Sequence, residues 1–189
     1  MAGARDGRSG RARLLAIAAL VSGALSPLAA PASAEVLDSG DAGFVTHGSA
    51  LVAAPPAAIW AALVEPARWW SPAHSWSGDA ANLTLSATAG GCLCERLPDG
   101  GSVEHLRVIH AAPGRLLRAV GALGPLQGEA LAATLTIALA PEGEGTRLAW
   151  RYGVAGKAGF PLAEVAPAAD AVVSEQMARL AALFAPAAR

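Results

Sequence analysis

From Ala130 to Val154 apolar and polar positions alternate with a period of two. Leu131, Ala133, Leu135, Ile137 and Leu139 are interleaved with Thr134, Thr136 and Ala138, and Leu148, Trp150, Tyr152 and Val154 with Arg147 and Arg151. Such alternation predicts antiparallel strands with one buried face, over Ala130 to Leu139 and Thr146 to Val154. Leu116 to Leu123 reads as a further strand, and Asn82 to Ala87 as another, with Leu83, Leu85 and Ala87 against Thr84 and Ser86 until Gly90-Gly91 breaks it. Ala42 to Ala53 is strand-like and ends at Pro55-Pro56, which opens a helix over Ala57 to Val64 with Ile59, Leu63 and Trp60 on its buried side. Pro66 starts a second short turn or helix carrying Trp69 and Trp70. Beyond Gly156 to Pro161 the period changes, because Val173, Met177, Leu180 and Phe184 recur at helical spacing opposite Asp170, Ser174 and Arg179. Pro167 either starts this helix or kinks a longer one beginning near Pro161.

These elements in order predict an α+β helix-grip fold. A curved antiparallel sheet of about six or seven strands wraps a long C-terminal helix around an apolar cavity, with two short helices after the first strand. Cys92 to Leu97 and Ser102 to His110 form a hairpin around Pro98-Asp99-Gly100-Gly101. If Leu97 opposes Ser102, Glu95 faces Glu104, Cys94 faces His105 and Cys92 faces Arg107. Leu93, Glu95, Leu106 and Val108 then look inward, and Cys94, Arg96, His105 and Arg107 outward. A slip of one residue brings His105 to Glu95 instead.

The N-terminus has a different pattern. Arg5, Arg8, Arg11 and Arg13 precede an apolar run from Leu14 to Leu25, and Ala32-Ser33-Ala34 forms a small-residue cleavage signature. Residues 1–34 therefore read as a signal peptide, too short in its apolar core for a bilayer that needs about 20 residues. Residues 35–41 are expected to be a flexible N-terminus and 42–185 the folded domain. The expected location is periplasmic or secreted, with no membrane span after cleavage. The whole chain carries 14 basic and 15 acidic residues; without the four leader arginines and Asp6 the balance is 10 against 14, which lacks the basic footprint of a nucleic-acid binder.

The proline-flanked entry APPAAIWAALVEPARWW, the strand start AGGCLCE at Ala89 to Glu95, the segment VEHLRVIHAAPGRLLRAVGALGPLQ from Val103 to Gln127 and the final helix together resemble the START-like, or SRPBCC, superfamily. Within it the pattern is similar to proteins labelled polyketide cyclase/dehydrase-like or activator-of-heat-shock-ATPase-like. The resemblance covers most of residues 42–184. It implies a helix-grip fold and a cavity for a small hydrophobic molecule, but no catalytic set, because the superfamily's functions are diverse. Export would place a chaperone regulator's partner in the wrong compartment, so no protein partner is assigned.

Two function classes follow: a binding or carrying module for a small hydrophobic or amphipathic molecule, and a cyclase, dehydratase or hydrolase using a cavity glutamate or histidine as acid or base. The ligand-binding candidates are Trp69, Trp70, Trp76, Glu95, Trp150, Tyr152 and Met177, aromatic and apolar groups suited to a cavity wall. The catalytic candidates are Glu95, Glu104 and His105. An inward Glu95 is expected to have a raised pKa, since burial and a facing carboxylate both disfavour its charge. His47, His74 and His110 are scattered and read as structural or exposed. Cys92 and Cys94 lie two apart, which on an extended strand separates their Cα atoms by about 6.6 Å, the upper end of disulfide geometry. They are expected as free thiols or as a labile, strained bridge. Cys92, Cys94 and His105 fall short of the four ligands of a structural zinc site, and no metal or other cofactor is assigned.

Overall fold

The computed structural model describes residues 33–186; of the signal peptide expected over residues 1–34, residues 1–32 lie outside them. The described residues form eight antiparallel strands: β1 (Ser33–Gly40), β2 (Gly43–Val52), β3 (Leu83–Leu85), β4 (Cys92–Arg96), β5 (Ser102–Ala112), β6 (Leu116–Val120), β7 (Ala130–Glu142) and β8 (Gly145–Lys157). They make one sheet in the order β1-β2-β8-β7-β6-β5-β4-β3. Helix α1 (Pro56–Leu63) and a short 3-10 turn at Pro66–Arg68 follow β2, and helix α2 (Leu162–Ala182) closes the chain.

The additional strand is β1. Of residues 35–41, expected to be flexible, Glu35 to Gly40 belong to a strand paired with β2 from Glu35↔His47 to Gly40↔Gly43, and Asp41 lies in the turn that follows. The sequence there has no clean alternation, and a bulge between Val36 and Asp38 interrupts its register. What orders it is the row of unpaired backbone groups that β2 would otherwise expose at the sheet edge.

The inner face of the sheet is the predicted one. Ala133, Leu135, Ile137 and Leu139 of β7 and Leu148, Trp150, Tyr152 and Val154 of β8 are all buried, and each Leu, Ile or Val side chain so removed from water contributes roughly 1.5–3 kcal/mol. Helix α2 lays Leu162, Ala166, Val173, Met177 and Leu180 against this face. It begins at Leu162, with Pro161 at its N-cap and Pro167 inside it on the exposed side. The longer of the two expected helices is therefore formed, and Phe184 falls just past its end. Along the C-terminal half of α2 the packing is nearly complete, with one void of about 30 Å³ bordered by Met177, Trp69 and Trp70. Along its N-terminal half it is not.

Candidate functional site

Under the N-terminal half of α2 lies a cavity of about 390 Å³. Val165, Ala169, Val172 and Val173 of α2 form one wall, and Phe160 lies just before that helix. Trp70 and the segment Ala73–Trp76 form the second, and Leu123 to Leu126, after β6, the third. Tyr152 of β8 and His105 of β5 complete it. Trp76 is 55% exposed and marks the opening.

The wall made by residues 69–76 is fixed by polar contacts to α2. The Ser71 N–H donates to Gln176 Oε1 at 2.7 Å, Arg179 Nε donates to the Trp69 carbonyl at 2.7 Å, and His74 Nε2 lies 2.9 Å from Glu175 Oε2. The indoles hold the turn from within: Trp69 Nε1 donates to the Ala62 carbonyl and Trp70 Nε1 to that of His74. Contacts with Ser71, then with His74 and Arg179, outweigh partial burial and keep the Glu175 carboxyl below its ordinary pKa.

The inner end is organised by a bulge. Cys92 faces Arg107 and Leu93 faces Leu106, as the sequence register requires, but past Leu93 the pairing steps by one, so that Cys94 faces Glu104 and Glu95 faces Val103. The unpaired residue is His105. Its side chain and that of the adjacent Leu106 are both buried, as a bulge permits and strict alternation forbids. His105 Nε2 then meets Glu95 Oε2 at 2.8 Å. The expected Glu95–Glu104 pair does not form: Glu104 points outward and joins Arg107 in a 2.5 Å ion pair.

Glu95 is 1% exposed. Burial alone would raise its pKa, as expected from the sequence, but the net displacement is downward. Ser77, the backbone N–H of Trp76 and His105 all hydrogen-bond the carboxylate and together outweigh desolvation. The Ser77 N–H is 2.5 Å and the Trp76 N–H 3.1 Å from its oxygens. Glu95 is thus a resident carboxylate. A carboxylate only accepts hydrogen bonds, so the Nε2 of His105 carries the proton between them. This pins the imidazole, and Nδ1 is not engaged by that bond. Glu95 itself does not border the cavity; it stands behind His105 and anchors the Trp76–Ser77 backbone at the mouth.

Tyr152 is buried, and its hydroxyl accepts the Leu123 N–H at 2.9 Å. Burial pushes the phenol up to about 12, the Leu123 hydrogen bond opposing this, so it remains protonated at neutral pH. Of the other sequence candidates, Trp70 and Trp76 border the cavity, Trp69 and Met177 border the small void, and Trp150 is 2% exposed in the core. His74, expected from the sequence to be structural or exposed, borders the cavity, as do Phe160 and the loop from Leu123 to Leu126, for which the sequence carries no site signal. His74 meets its carboxylate 101 positions away, a distance at which no spacing pattern signals a pair.

Cys92 and Cys94 are joined in a disulfide. Their Cα atoms are 5.4 Å apart, well under the extended-strand distance from which either free thiols or a labile bridge was expected, and of the two it is the bridge that forms. The register step between Leu93 and Cys94 marks the local departure from regular extension that the spacing argument omitted. The sulfurs lie within ligand distance of Glu104, but their bond to one another occupies the positions a metal would need.

Residues 44–185 match the family described as polyketide cyclase / dehydrase and lipid transport. The chain belongs to this family. Within the START-like superfamily, the polyketide cyclase/dehydrase member has solved structural relatives at low identity. A protein of unknown function from Enterococcus faecalis is 16% identical with a TM-score of 0.56, covering 82% of this chain and 80% of its own. A protein from Mycobacterium smegmatis is 17% identical with a TM-score of 0.55, covering 84% and 100%. An uncharacterized protein from Rhizobium leguminosarum is 19% identical with a TM-score of 0.55, covering 82% and 98%. At these identities the likeness is one of fold. No curated protein matches this family member's sequence.

Proposed function

We propose that this protein binds or carries a small hydrophobic or amphipathic molecule within the cell envelope. The observation that carries the reading is the cavity of about 390 Å³, within the usual range of ligand pockets. Its walls are aliphatic and aromatic, with few polar groups. The family description, which joins cyclase or dehydrase activity with lipid transport, is compatible with it. The envelope location rests on the leader pattern of residues 1–34. Cleavage after Ala34 would leave Glu35 to Gly40 to continue β1. Native mass spectrometry of protein recovered from the periplasm tests the reading: a retained apolar mass released on denaturation supports it, and protein that stays ligand-free when offered membrane and culture extracts opposes it.

A second reading is favoured by one specific observation, the carboxylate-backed imidazole facing the cavity. A carboxylate that fixes the tautomer and orientation of a histidine is the arrangement by which a general base is held ready. In a cyclase, dehydratase or hydrolase of this form, His105 exchanges the proton and Glu95 positions it. Turnover that disappears in His105→Gln while apolar-ligand affinity persists would favour this reading over simple carriage.

A further inference from the structure

The ionisable groups bordering the cavity are two imidazoles and one phenol; among the described residues no Asp, Glu, Lys or Arg lines it. Each imidazole has a carboxylate behind it, Glu95 for His105 and Glu175 for His74, and each spends Nε2 on that partner. At the inner end this leaves His105 Nδ1. The Tyr152 hydroxyl uses a lone pair to accept the Leu123 N–H, and its own proton has no acceptor among the described residues.

One loop, after β6, touches both residues. Gly121, at φ +145°, lies so close to β5 that a Cβ there would stand 2.5 Å from the His105 carbonyl oxygen, and two residues later Leu123 reaches Tyr152. An apolar occupant with no polar group would bury both the ring nitrogen and the phenolic proton without partners, a cost that buried polar groups impose on any ligand that fails to answer them. A cationic amine has no carboxylate to meet here.

On the reading that this cavity is a ligand site, we infer that its ligand is an apolar oxygen acid, a phenol, enol or carboxylic acid, whose acidic hydroxyl pairs with His105 Nδ1 while Tyr152 donates to an oxygen of the same molecule. The proton between ligand and imidazole can rest on either atom and the hydrogen bond is kept. The class is therefore set by the acidity of the hydroxyl rather than by one carbon skeleton.

Matched probes test this. 2-Naphthol is titrated against 2-methoxynaphthalene, and 2-naphthoic acid against its methyl ester, by calorimetry, with ¹⁵N-histidine-labelled protein observed in parallel by NMR. Each free acid is expected to bind at least about tenfold more tightly than its methyl derivative, which is about 1.4 kcal/mol, and to move the Nδ1 resonance of His105 where the derivative does not. The stronger of the two acids distinguishes a phenolic from a carboxylic ligand. In His105→Gln, checked for folding by thermal melting, the preference should shrink, whereas Tyr152→Phe, which keeps the ring, should weaken acids and methyl derivatives alike, since each offers an oxygen to the phenol. If acids and derivatives bind the wild type equally, the acid assignment is overturned and the cavity reading stands. If the preference survives in a folded His105→Gln variant, the acidic group sits elsewhere and the assignment is overturned. If neither member of either pair binds, the cavity reading itself falls. Because the probe comparison is made on the wild-type protein, misfolding of either variant does not remove the test.

Discussion

Replacing Glu95 by Gln is the substitution whose consequences the structure defines most fully. The carboxylate accepts from the Ser77 N–H, the Trp76 N–H and His105 Nε2. A carboxamide has one oxygen, so whichever way it turns, its NH2 group confronts at least one of these donors. The loss is one charge-assisted bond, about 1.5–3 kcal/mol, together with a buried donor left facing another donor, about 1–3 kcal/mol. Partial relaxation of the 76–77 backbone lowers the sum, and a destabilisation of about 2–4 kcal/mol is expected. The pH dependence gives a second readout. The folded carboxyl titrates below its ordinary value near 4.5, so its contribution is complete above that value and is lost as the pH falls through the depressed one. Urea unfolding of wild type and Glu95→Gln should therefore differ most at neutral pH and converge on acidification below about pH 4.5. A difference under about 1 kcal/mol at pH 7, or one that grows as the pH falls, would refute the assignment of Glu95 as an ionised anchor.

Three further outcomes are expected. Converting Cys92 and Cys94 together to Ser should cost under about 2 kcal/mol, since the bridge closes almost no loop; a larger loss in urea unfolding would mean that the disulfide holds the bulge at His105. Gly121→Ala should destabilise by more than about 1 kcal/mol, because the added Cβ meets the His105 carbonyl at 2.5 Å with φ at +145°, and it should also perturb the His105 NMR signals; a melting temperature equal to wild type would contradict that close approach. Trp70 and Trp76 border the cavity, so tryptophan emission should change on addition of an apolar ligand and respond less in Trp76→Leu; emission indifferent to a ligand whose binding is established by calorimetry would place the ligand outside this cavity.

The sheet and the gripping helix were legible because both rest on periodicity. The alternation through β7 and β8 fixes their inner face, and the change to helical spacing at Val173 and Met177 marks α2. The polar pair was half legible. The register read from the hairpin turn fails beside the turn, where Ser102 faces Arg96 and not Leu97, and holds at Cys92–Arg107 and Leu93–Leu106 only because the bulge offsets it by one residue; a bulge has no clear mark in the sequence, and one unpaired residue is enough to replace Glu104 with His105 beside Glu95. The same irregularity lies where the spacing argument for Cys92 and Cys94 failed. The direction of the Glu95 pKa was misjudged for a related reason. Its burial could be read from the strand, whereas the donors that overturn its effect come from Trp76 and Ser77, in a loop with no regular period. β1 was missed because an edge strand is ordered by its partner's free backbone groups more than by its own side chains.

The central claim, that the cavity under α2 holds a small apolar molecule, is tested most directly by filling it. Ala169 borders the cavity from α2, and Ala169→Trp places an indole in the space a ligand would use. Calorimetric titration with 2-naphthol should give saturable one-to-one binding to the wild type and at least a tenfold loss in Ala169→Trp, while thermal melting shows the variant to be as stable as the wild type or more so. Equal affinity in a folded Ala169→Trp variant would contradict the account, because the ligand would then be bound somewhere other than this cavity.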